Sequence, residues 1–478
     1  MVLQDGTQAN PVRATSTLAP SADDTAGLIP PVGGDGPPPA SPPEDMDNGL
    51  SGGLAHRLFS AMGDRNFRLL YIGNMLQFGS QQMQLLVRGY LVFQLTGSFA
   101  LLGTMALANA IPGVLLSPIG GLLADRAPKK TVIQFAQLFN AVNAAVLAIL
   151  AMGVFGFQLA FWHLFVSSFL QGGINSLMMP SRQSIISDLV GPRKLMNAIG
   201  INASGQTLMQ LFGPALGGFM IKYLAPDAVF WTMAGMYLAA VFFTMRLPAH
   251  PLFSFAEQQA ARAAAGGRAR GGGGGGGGRG GSFRDLADGM VYVWRDPVIR
   301  CLIGVNFLIV VVAMPYTMLL PGFVQSVLHR GGFEQGMLQT VQGVGAVVGS
   351  VVVASGLERG RGKMMIFWGG LLGVSLVMFA ASSNYWITMP IMLIVGAGQA
   401  GRMATGQVLI QTYAKDEYRG RVTSVWFMQF ALVQFGTFFV GVLAEFVGVQ
   451  LAIGGLAAIM ALSMGLVWLF VPTIRNLD

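Results

Sequence analysis

The sequence predicts an all-α membrane protein in which twelve transmembrane helices form two six-helix bundles, with both termini in the cytoplasm. Three observations predict this fold class. The chain is 53% hydrophobic and 10% charged, which leaves too few charges to hydrate the surface of a soluble protein of 478 residues. Long apolar segments follow one another from Leu69 onward. Most of the 29 lysines and arginines lie in alternate loops between those segments.

The apolar segments have the length of membrane-crossing helices. About 20 residues cross a hydrocarbon core of about 30 Å. The predicted spans are residues 69–95, 99–123, 131–152, 158–180, 196–221, 228–247, 298–325, 335–357, 364–382, 386–412, 422–446 and 449–471. The first span contains several glutamines and Arg88 and is the least apolar. It is retained because, without it, the basic residues from Arg57 to Arg68 would lie on the side opposite to the other basic loops.

The basic loops also predict orientation. Cationic loops stay in the cytoplasm during insertion, so both ends of the chain are expected inside, in an inner or plasma membrane. The net charge of +8 follows from these loops and gives no reason to expect a nucleic-acid partner. A single cysteine, Cys301, excludes an internal disulfide, and no cysteine–histidine spacing suggests a metal or another cofactor. The expected partners are the lipid bilayer and a small-molecule substrate, with the chain acting as a monomer.

Composition divides the chain into four parts. Residues 1–64 are acidic, rich in Pro and Gly, and predicted to be disordered. Residues 65–247 are the first six-helix bundle and residues 298–478 the second. Between them, residues 248–297 combine a flexible tether, which includes Gly271–Gly278, with a short surface helix. The apolar side chains of that helix recur at helical spacing: Phe283, Leu286, Ala287, Met290, Val291 and Trp294.

The two bundles repeat each other. "GGLLADRAPKKTVI" between spans two and three corresponds to "VVASGLERGRGKMMI" between spans eight and nine, which aligns Asp125–Arg126 with Glu358–Arg359. "VGPRKLMNAIG" before span five corresponds to "KDEYRGRVTSVW" before span eleven. Two six-span halves joined by a cytoplasmic tether form the parallel-repeat architecture of alternating-access transporters.

The segment "GLLADRAPKK" resembles the signature of the major facilitator superfamily, G-x-L-A-D-R-x-G-[RK]-[RK], and the resemblance extends over residues 65–472. Pro128 replaces the usual glycine. "LTGSFALLG", "FGPALGGF" and "YRGRVTSVWF" are similar to the branch that contains siderophore exporters and macrolide-efflux proteins. The resemblance implies a conformational latch between the halves; the alternative is a turn that only orients two helices. Its residues would be Gly121, Asp125, Arg126, Lys129, Lys130, Glu358, Arg359, Arg419 and Arg421.

Polar residues inside the spans are the candidate substrate pathway. In span one they recur at intervals of three and four, which places them on one helical face: Asn74, Gln77, Gln81, Gln84 and Arg88. A mid-membrane cation costs at least about 2.5–3.5 kcal/mol, so Arg88 is expected to face a wet cavity or a partner. Two alternatives stay open, a structural hydrogen-bond network and an Arg88 that snorkels toward the lipid face.

Other spans supply further pathway candidates. Gln399 and Arg402 lie three residues apart in span ten, and Arg402 with Arg88 would give a positive cavity suited to acidic or oxygen-rich cargo. Pairing of each arginine with backbone carbonyls or with Glu445 is the alternative. The remaining candidates are paired amides in spans four and eight: Gln171, Asn175, Gln339 and Gln342.

Span five contains a predicted helix bend, formed by Gly213, Pro214, Gly217 and Gly218, because proline removes an amide and glycines allow close packing. The segment resembles the bend motif of antiporters of the superfamily, although Met209 stands where a further glycine is usual. Energy coupling has one candidate, since Glu445 is the only acid within a predicted span; an interfacial role is the alternative.

The sequence thus predicts a secondary exporter of small amphipathic or oxygen-rich molecules, driven by proton antiport through alternating access. An importer of organic anions and a non-transporting membrane sensor or scaffold are the alternatives. No set of convergent catalytic residues suggests an enzyme.

Overall fold

The computed structural model describes residues 60–153, 156, 158–248, 252–253, 281–355, 360–415, 417–475 and 477, and nearly all of them are helical. Apart from residues 60–64, the predicted disordered tail lies outside the described residues, as does the glycine tether. Within these limits, helix ends fall where the sequence supplies caps and breaks.

The first part of the chain forms six long helices. Asp64 caps the first of them, since its Oδ1 accepts a hydrogen bond of 2.9 Å from the Asn66 N–H. Gly97, with a φ of 64°, ends that helix in the left-handed conformation. The helices are α1 (Arg65–Thr96), α2 (Phe99–Arg126), α3 (Lys129–Ala151), α4 (Phe161–Leu189), α5 (Pro192–Tyr223) and α6 (Pro226–Met245).

The second part follows the residues that the structure does not describe. It consists of α7 (Gly281–Arg295), α8 (Pro297–Ala313), α9 (Tyr316–Ser326), α10 (Gly332–Ala354), α11 (Arg361–Ala381), α12 (Tyr385–Tyr413), α13 (Arg419–Phe427), α14 (Gln429–Val447), α15 (Val449–Phe470) and α16 (Pro472–Arg475). For brevity, the described residues up to Leu247 are called the N half and those from Pro297 onward the C half.

Two predicted continuous spans are broken. Span 298–325 is divided into α8 and α9 at Met314 and Pro315, because proline has no N–H to donate and its ring clashes with the preceding turn. Span 422–446 is divided into α13 and α14 at Met428, whose N–H bonds to the Val425 carbonyl one residue tighter than in an α-helix. The second break has no proline to announce it.

Eight helical segments among the described residues are long and apolar enough to cross a membrane. They are Phe99–Ala124, Lys129–Ala151, Pro226–Met245, Pro297–Ser326, Gly332–Ala354, Arg361–Ala381, Arg419–Val447 and Val449–Phe470. The other four predicted spans correspond to α1, α4, α5 and α12, which are 32, 29, 32 and 29 residues long but more polar. Many of their polar side chains are buried in the protein, among them Asn74, Gln171 and Arg402.

The two halves use the same pairwise packing. In the N half α2 packs on α4 and α3 on α6, and in the C half α10 packs on α12 and α11 on α15. Glycines allow these approaches, since a Cβ at Gly172 would meet the Asn109 carbonyl and one at Gly345 the Leu393 carbonyl. Between the halves, α2 packs on α14 and α5 on α10.

The predicted surface helix is present as α7, and it docks on α13. The Tyr292 and Tyr418 rings stack with centroids 4.4 Å apart, and Val293 is buried. Val291 and Trp294, which the sequence assigned to the apolar face, are exposed. The contact face includes Tyr292 and Val293, which the spacing did not assign to the apolar face, together with Met290, which it did. Side chains of residues 281–287 lie outside the described part.

Candidate substrate cavity

A cavity of about 350 Å³ lies between the halves at mid-helix. Its N-half wall comes from α1, α2 and α4, and its C-half wall from α9, α10 and α14. Both apolar and polar side chains line it. The polar lining residues are Gln81, Gln82, Gln84, Arg88, Asn109, Ser168, Gln171 and Asn175 from the N half and Thr317, Gln339 and Gln434 from the C half.

Arg88 is held at the wall of this cavity by α4. Its guanidinium donates to Ser167 Oγ at 2.5 Å, to Ser168 Oγ at 3.1 Å and to Gln171 Oε1 at 2.5 Å. Gln171 in turn donates to Gln84. Arg88 is 7% exposed, so it does not snorkel toward lipid. Serine hydroxyls and an amide oxygen fix the direction of the guanidinium but leave its charge unneutralised.

The predicted stripe on α1 divides into two parts. Gln81, Gln84 and Arg88 line the cavity. Asn74 and Gln77 do not; they lie nearer the start of α1 in structural hydrogen bonds, in which Asn74 donates to Asn202 at 2.9 Å and Gln77 accepts from Gln137 at 3.0 Å. Asn74 and Gln77 thus belong to a structural hydrogen-bond network, while the role of Gln81, Gln84 and Arg88 in a substrate pathway stays a prediction.

The candidates of the C half divide in the same way. Gln339 lines the cavity, whereas Gln342 donates to the Tyr316 hydroxyl at 2.7 Å and to Gln399 at 3.0 Å in a network beside it. Arg402 is 2% exposed and donates to Asn306, not to Glu445. In this structure Arg88 lines the cavity and Arg402 does not, so the pairing of the two arginines at one cavity stays a prediction.

Arg182 also departs from expectation, because the predicted span 158–180 ends before it and so leaves it in a basic loop. α4 continues to Leu189, and Arg182 is a buried side chain, 4% exposed. It donates to Asn74 Oδ1 at 3.1 Å, and its guanidinium lies 3.7 Å from the Phe78 ring centroid. The apolar segment stops near residue 180, so hydropathy alone placed the end of the helix too early.

Several cavity residues were missed from the sequence: Gln82, Asn109, Ser168, Thr317 and Gln434. An amide inside an apolar span is costly unless it has a partner or water, and that signal was available for Asn109 and Gln434. Ser168 and Thr317 carried no such signal, since hydroxyls often bond to the backbone of their own helix.

The halves are joined by a set of contacts that runs from the depth of the cavity to the connections Thr96–Phe99 and Tyr223–Pro226, and we call this set the distal seam. The helix ends near Arg126, Lys129 and Arg419 form the opposite, basic side. In the distal seam, Thr340 Oγ1 donates to the Leu211 carbonyl at 3.1 Å, and Gln325 donates to the Tyr90 carbonyl at 3.0 Å. Lys222 Nζ lies 3.6 Å from Glu334 Oε1.

Glu445 belongs to the distal seam. Its Oε2 accepts from Ser98 Oγ at 3.0 Å, from the Phe99 N–H at 2.8 Å and from the Ala100 N–H at 3.2 Å. A carboxylate of α14 thus caps the N-terminus of α2 in the other half, where unpaired amides and the helix dipole favour negative charge.

The sequence also matches a known protein family. The sequence model of the Major Facilitator Superfamily matches residues 70–332 and 302–476. The chain belongs to the major facilitator superfamily.

Relatives of known name lie within this superfamily. The chain is 23% identical over 396 residues to the multidrug efflux pump Tap of Mycolicibacterium fortuitum, covering 81% of this chain and 91% of Tap. It is 21% identical over 349 residues to the staphyloferrin A transporter of Staphylococcus aureus, covering 73% and 82%. The crystal structure of the nucleoside transporter NupG superposes with a TM-score of 0.64 at 14% identity, covering 86% of this chain and 99% of NupG. At that identity the structural match shows the fold alone.

Two lysines of the superfamily signature have partners within their own half. Lys129 Nζ lies 2.7 Å from Asp188 Oδ2. Lys130 donates to the Met245 and Leu247 carbonyls at 2.8 Å and 2.6 Å. Arg126 is the last residue of α2, and a Cβ at Gly121 would meet no atom within 4 Å. The Asp125 side chain, Glu358 and Arg359 lie outside the described residues.

In the C half, Arg421 lies 3.5 Å from Asp288 of α7, and Arg419 begins α13. The described ion pairs of the predicted latch residues thus do not join the N half to the C half.

The predicted bend residues contribute to packing. α5 continues through Pro214 from Pro192 to Tyr223. A Cβ at Gly213 would lie 2.6 Å from Gln82 Cβ, and one at Gly218 would lie 2.6 Å from the Gly332 carbonyl oxygen in the C half. Gly217 faces Met83 of α1. Gly218 is therefore a seam residue as well as a member of the motif.

Proposed function

We propose that this superfamily member is a secondary active exporter of small amphipathic or oxygen-rich molecules, working by alternating access. The observation that supports this function most strongly is the cavity around Arg88. It has walls from both halves, and its lining residues Gly89 and Gln339 are the chain neighbours of the seam residues Tyr90 and Thr340. A central site that one seam covers is what a rocking mechanism requires.

The proposed transport path is formed by the predicted residues that line the cavity: Gln81, Gln84, Arg88, Gln171, Asn175 and Gln339. The structure corresponds, in this proposal, to the state open toward the basic side. Two latch cations support that assignment, since Lys129 and Lys130 have described partners within their own half. In the opposite state the latch would form and the distal seam would separate.

The proposed topology comprises twelve crossings in two six-helix halves, with both termini cytoplasmic, in a plasma or inner membrane, as a monomer. The repeated packing of α2 on α4 and of α10 on α12 supports two equivalent halves. The accumulation of basic residues at one set of helix ends supports the orientation.

Export is favoured over import by the relatives, one of which is named as a multidrug efflux pump. An importer of organic anions would use the same cavity and Arg88. A membrane sensor without transport remains the third candidate, and flux measurements distinguish all three.

Proton coupling is proposed to act through Glu445. This carboxylate does not line the cavity, so it would not exchange protons directly with cargo. In its ionised form it accepts three hydrogen bonds at the start of α2; a proton would remove the charge and weaken that cap. Protonation from the distal side would then favour separation of the seam.

The test is vesicle transport of a panel of amphipathic dyes under an imposed pH gradient, with the orientation of the protein determined separately. Export predicts dye accumulation in inside-out vesicles that collapses with a protonophore. Accumulation only in right-side-out vesicles would indicate import, and no saturable flux in either orientation would favour the sensor. A second measurement uses a Cys301→Ser background with Gln81→Cys or Gln84→Cys. The proposed path predicts reaction with membrane-impermeant thiol reagents; protection in every state would contradict it.

A further inference from the structure

The charges around the cavity are arranged unequally. Among the described residues that line it, Arg88 is the one with a formal charge. Thr317, Gln339 and Gln434, which line the opposite wall, are neutral. Arg402, the arginine of the C half buried at mid-helix, bonds to Asn306 away from the cavity.

Arg88 has no carboxylate partner in the described part of the chain. Its partners Ser167, Ser168 and Gln171 are neutral. The ion pairs that the structure describes lie at helix ends, as in Lys129–Asp188 and Lys222–Glu334. A buried guanidinium without a counter-charge is costly at membrane depth, so an anion that enters the cavity supplies the counter-charge that the protein lacks there.

The rest of the wall is suited to an apolar body. Leu85 and Val92 lie on either side of Arg88 along α1, Leu102 and Met105 come from α2, and Met179 and Met318 come from α4 and α9. Methionines adapt to ligands of varied shape. A volume of about 350 Å³ lies at the small end of the usual range for drug-sized ligands.

We infer that the cavity selects monoanionic amphiphiles, with the anionic group against Arg88 and the apolar body against the leucine and methionine side chains. This inference rests on the proposed function and specifies its substrate class. A second carboxylate would meet neutral groups on the C-half wall and lose its hydration without a cation. A lipophilic cation would be repelled by Arg88. The expected preference for a monocarboxylate over its neutral amide is about 10- to 100-fold, the value of one charge-assisted hydrogen bond.

The test uses four probes with one ring system: naphthylacetate, naphthylacetamide, naphthylethylammonium and naphthalene dicarboxylate. Binding to the full chain in zwitterionic nanodiscs is measured by calorimetry, with empty nanodiscs subtracted. The monocarboxylate should bind about 10- to 100-fold more tightly than the amide, and more tightly than the cation or the dicarboxylate.

Three variants locate the preference. Arg88→Gln should bind acid and amide with equal affinity, whereas Arg88→Lys should keep the preference for the acid. Arg402→Gln is the matched control, a buried arginine off the cavity, and should also keep it. If Arg88→Gln does not fold, the affinities of the four probes for the wild-type chain and for Arg88→Lys still test the inference.

Equal wild-type binding of acid and amide, tighter binding of the dicarboxylate, no binding of the monocarboxylate, or a preference that survives in Arg88→Gln would each overturn the inference. Counterflow of the same probes in vesicles separates it from the proposed function. Saturable flux without anion preference removes the substrate class alone. Anion-selective binding without flux removes the transporter alone.

Discussion

Replacement of one glycine in the distal seam by alanine should change the conformational state that the protein occupies. Gly336 of α10 faces α5 across the halves, and a Cβ there would collide with the Pro214 carbonyl oxygen and lie 3.3 Å from Gly218 Cα. Backbone atoms cannot rotate away as side-chain tips can, so Gly336→Ala requires the halves to separate. Overpacking of this kind costs about 1–3 kcal/mol.

The clash exists only while the seam is closed, so its cost acts on the conformational equilibrium. At about 1.4 kcal/mol per tenfold change, the closed-seam population should fall about 5- to 140-fold relative to the open one. Gly304→Ala is the control, because a Cβ at Gly304 meets nothing within 4 Å and both changes give the same gain in helix propensity.

The assay is a spin-label distance measurement in a Cys301→Ser background. Labels at Leu224 and Trp386, which are 60% and 69% exposed, report on the distal ends of the two halves. Gly336→Ala should move the distance distribution to longer values, and Gly304→Ala should not. Identical distributions in the two variants would refute the reasoning.

Three further predictions concern the seam, the surface helix and packing within one half. Glu445→Gln should weaken the cap that α14 provides to α2 by about 0.5–2 kcal/mol. The distance between labels at Leu224 and Trp386 should then increase and proton-dependent flux should fall. Unchanged flux would show that Glu445 does not couple transport to protons. Tyr292→Ala removes the stack on Tyr418, worth about 0.5–1.5 kcal/mol, so hydrogen exchange of the backbone in α7 should accelerate, and unchanged exchange would show that the stack does not hold α7. Gly345→Ala brings a Cβ against the Leu393 carbonyl within the C half. It should therefore lower the thermal unfolding temperature without changing the distance between the labels at Leu224 and Trp386. A changed distance with an unchanged unfolding temperature would contradict this prediction.

Much of the helical layout could be predicted from the sequence. The thickness of the bilayer sets the length of each span, and the retention of basic loops on one side sets how many spans separate them. Helix positions follow the predicted spans closely, and the Gly97–Ser98 connection falls between the first two. The end of α4 was placed too early, because an arginine that follows an apolar segment, such as Arg182, is typical of a loop. Its burial depends on Asn74 and Phe78 of another helix, which no local pattern shows.

The cavity was only partly predictable for a related reason. Helical spacing correctly put Gln81, Gln84 and Arg88 on one face, but depth along that face decides which side chains meet the cavity and which meet a neighbouring helix. Gln77 and Gln81 are equivalent in spacing and differ in surroundings. Arg402 is similar: its position in span ten was clear, whereas its bond to Asn306 depends on the packing of α8 against α12.

The most direct test of the central claim, that the cavity is exposed alternately by separation of the seam, is flux through a protein whose seam is locked. Leu211→Cys and Thr340→Cys, in the Cys301→Ser background, place thiols on the two helices that the 3.1 Å hydrogen bond joins. A short, reducible bifunctional thiol reagent should then stop transport, and reduction should restore it, while each single-cysteine variant continues to transport after the same treatment. Undiminished transport with the cross-link intact would contradict the account.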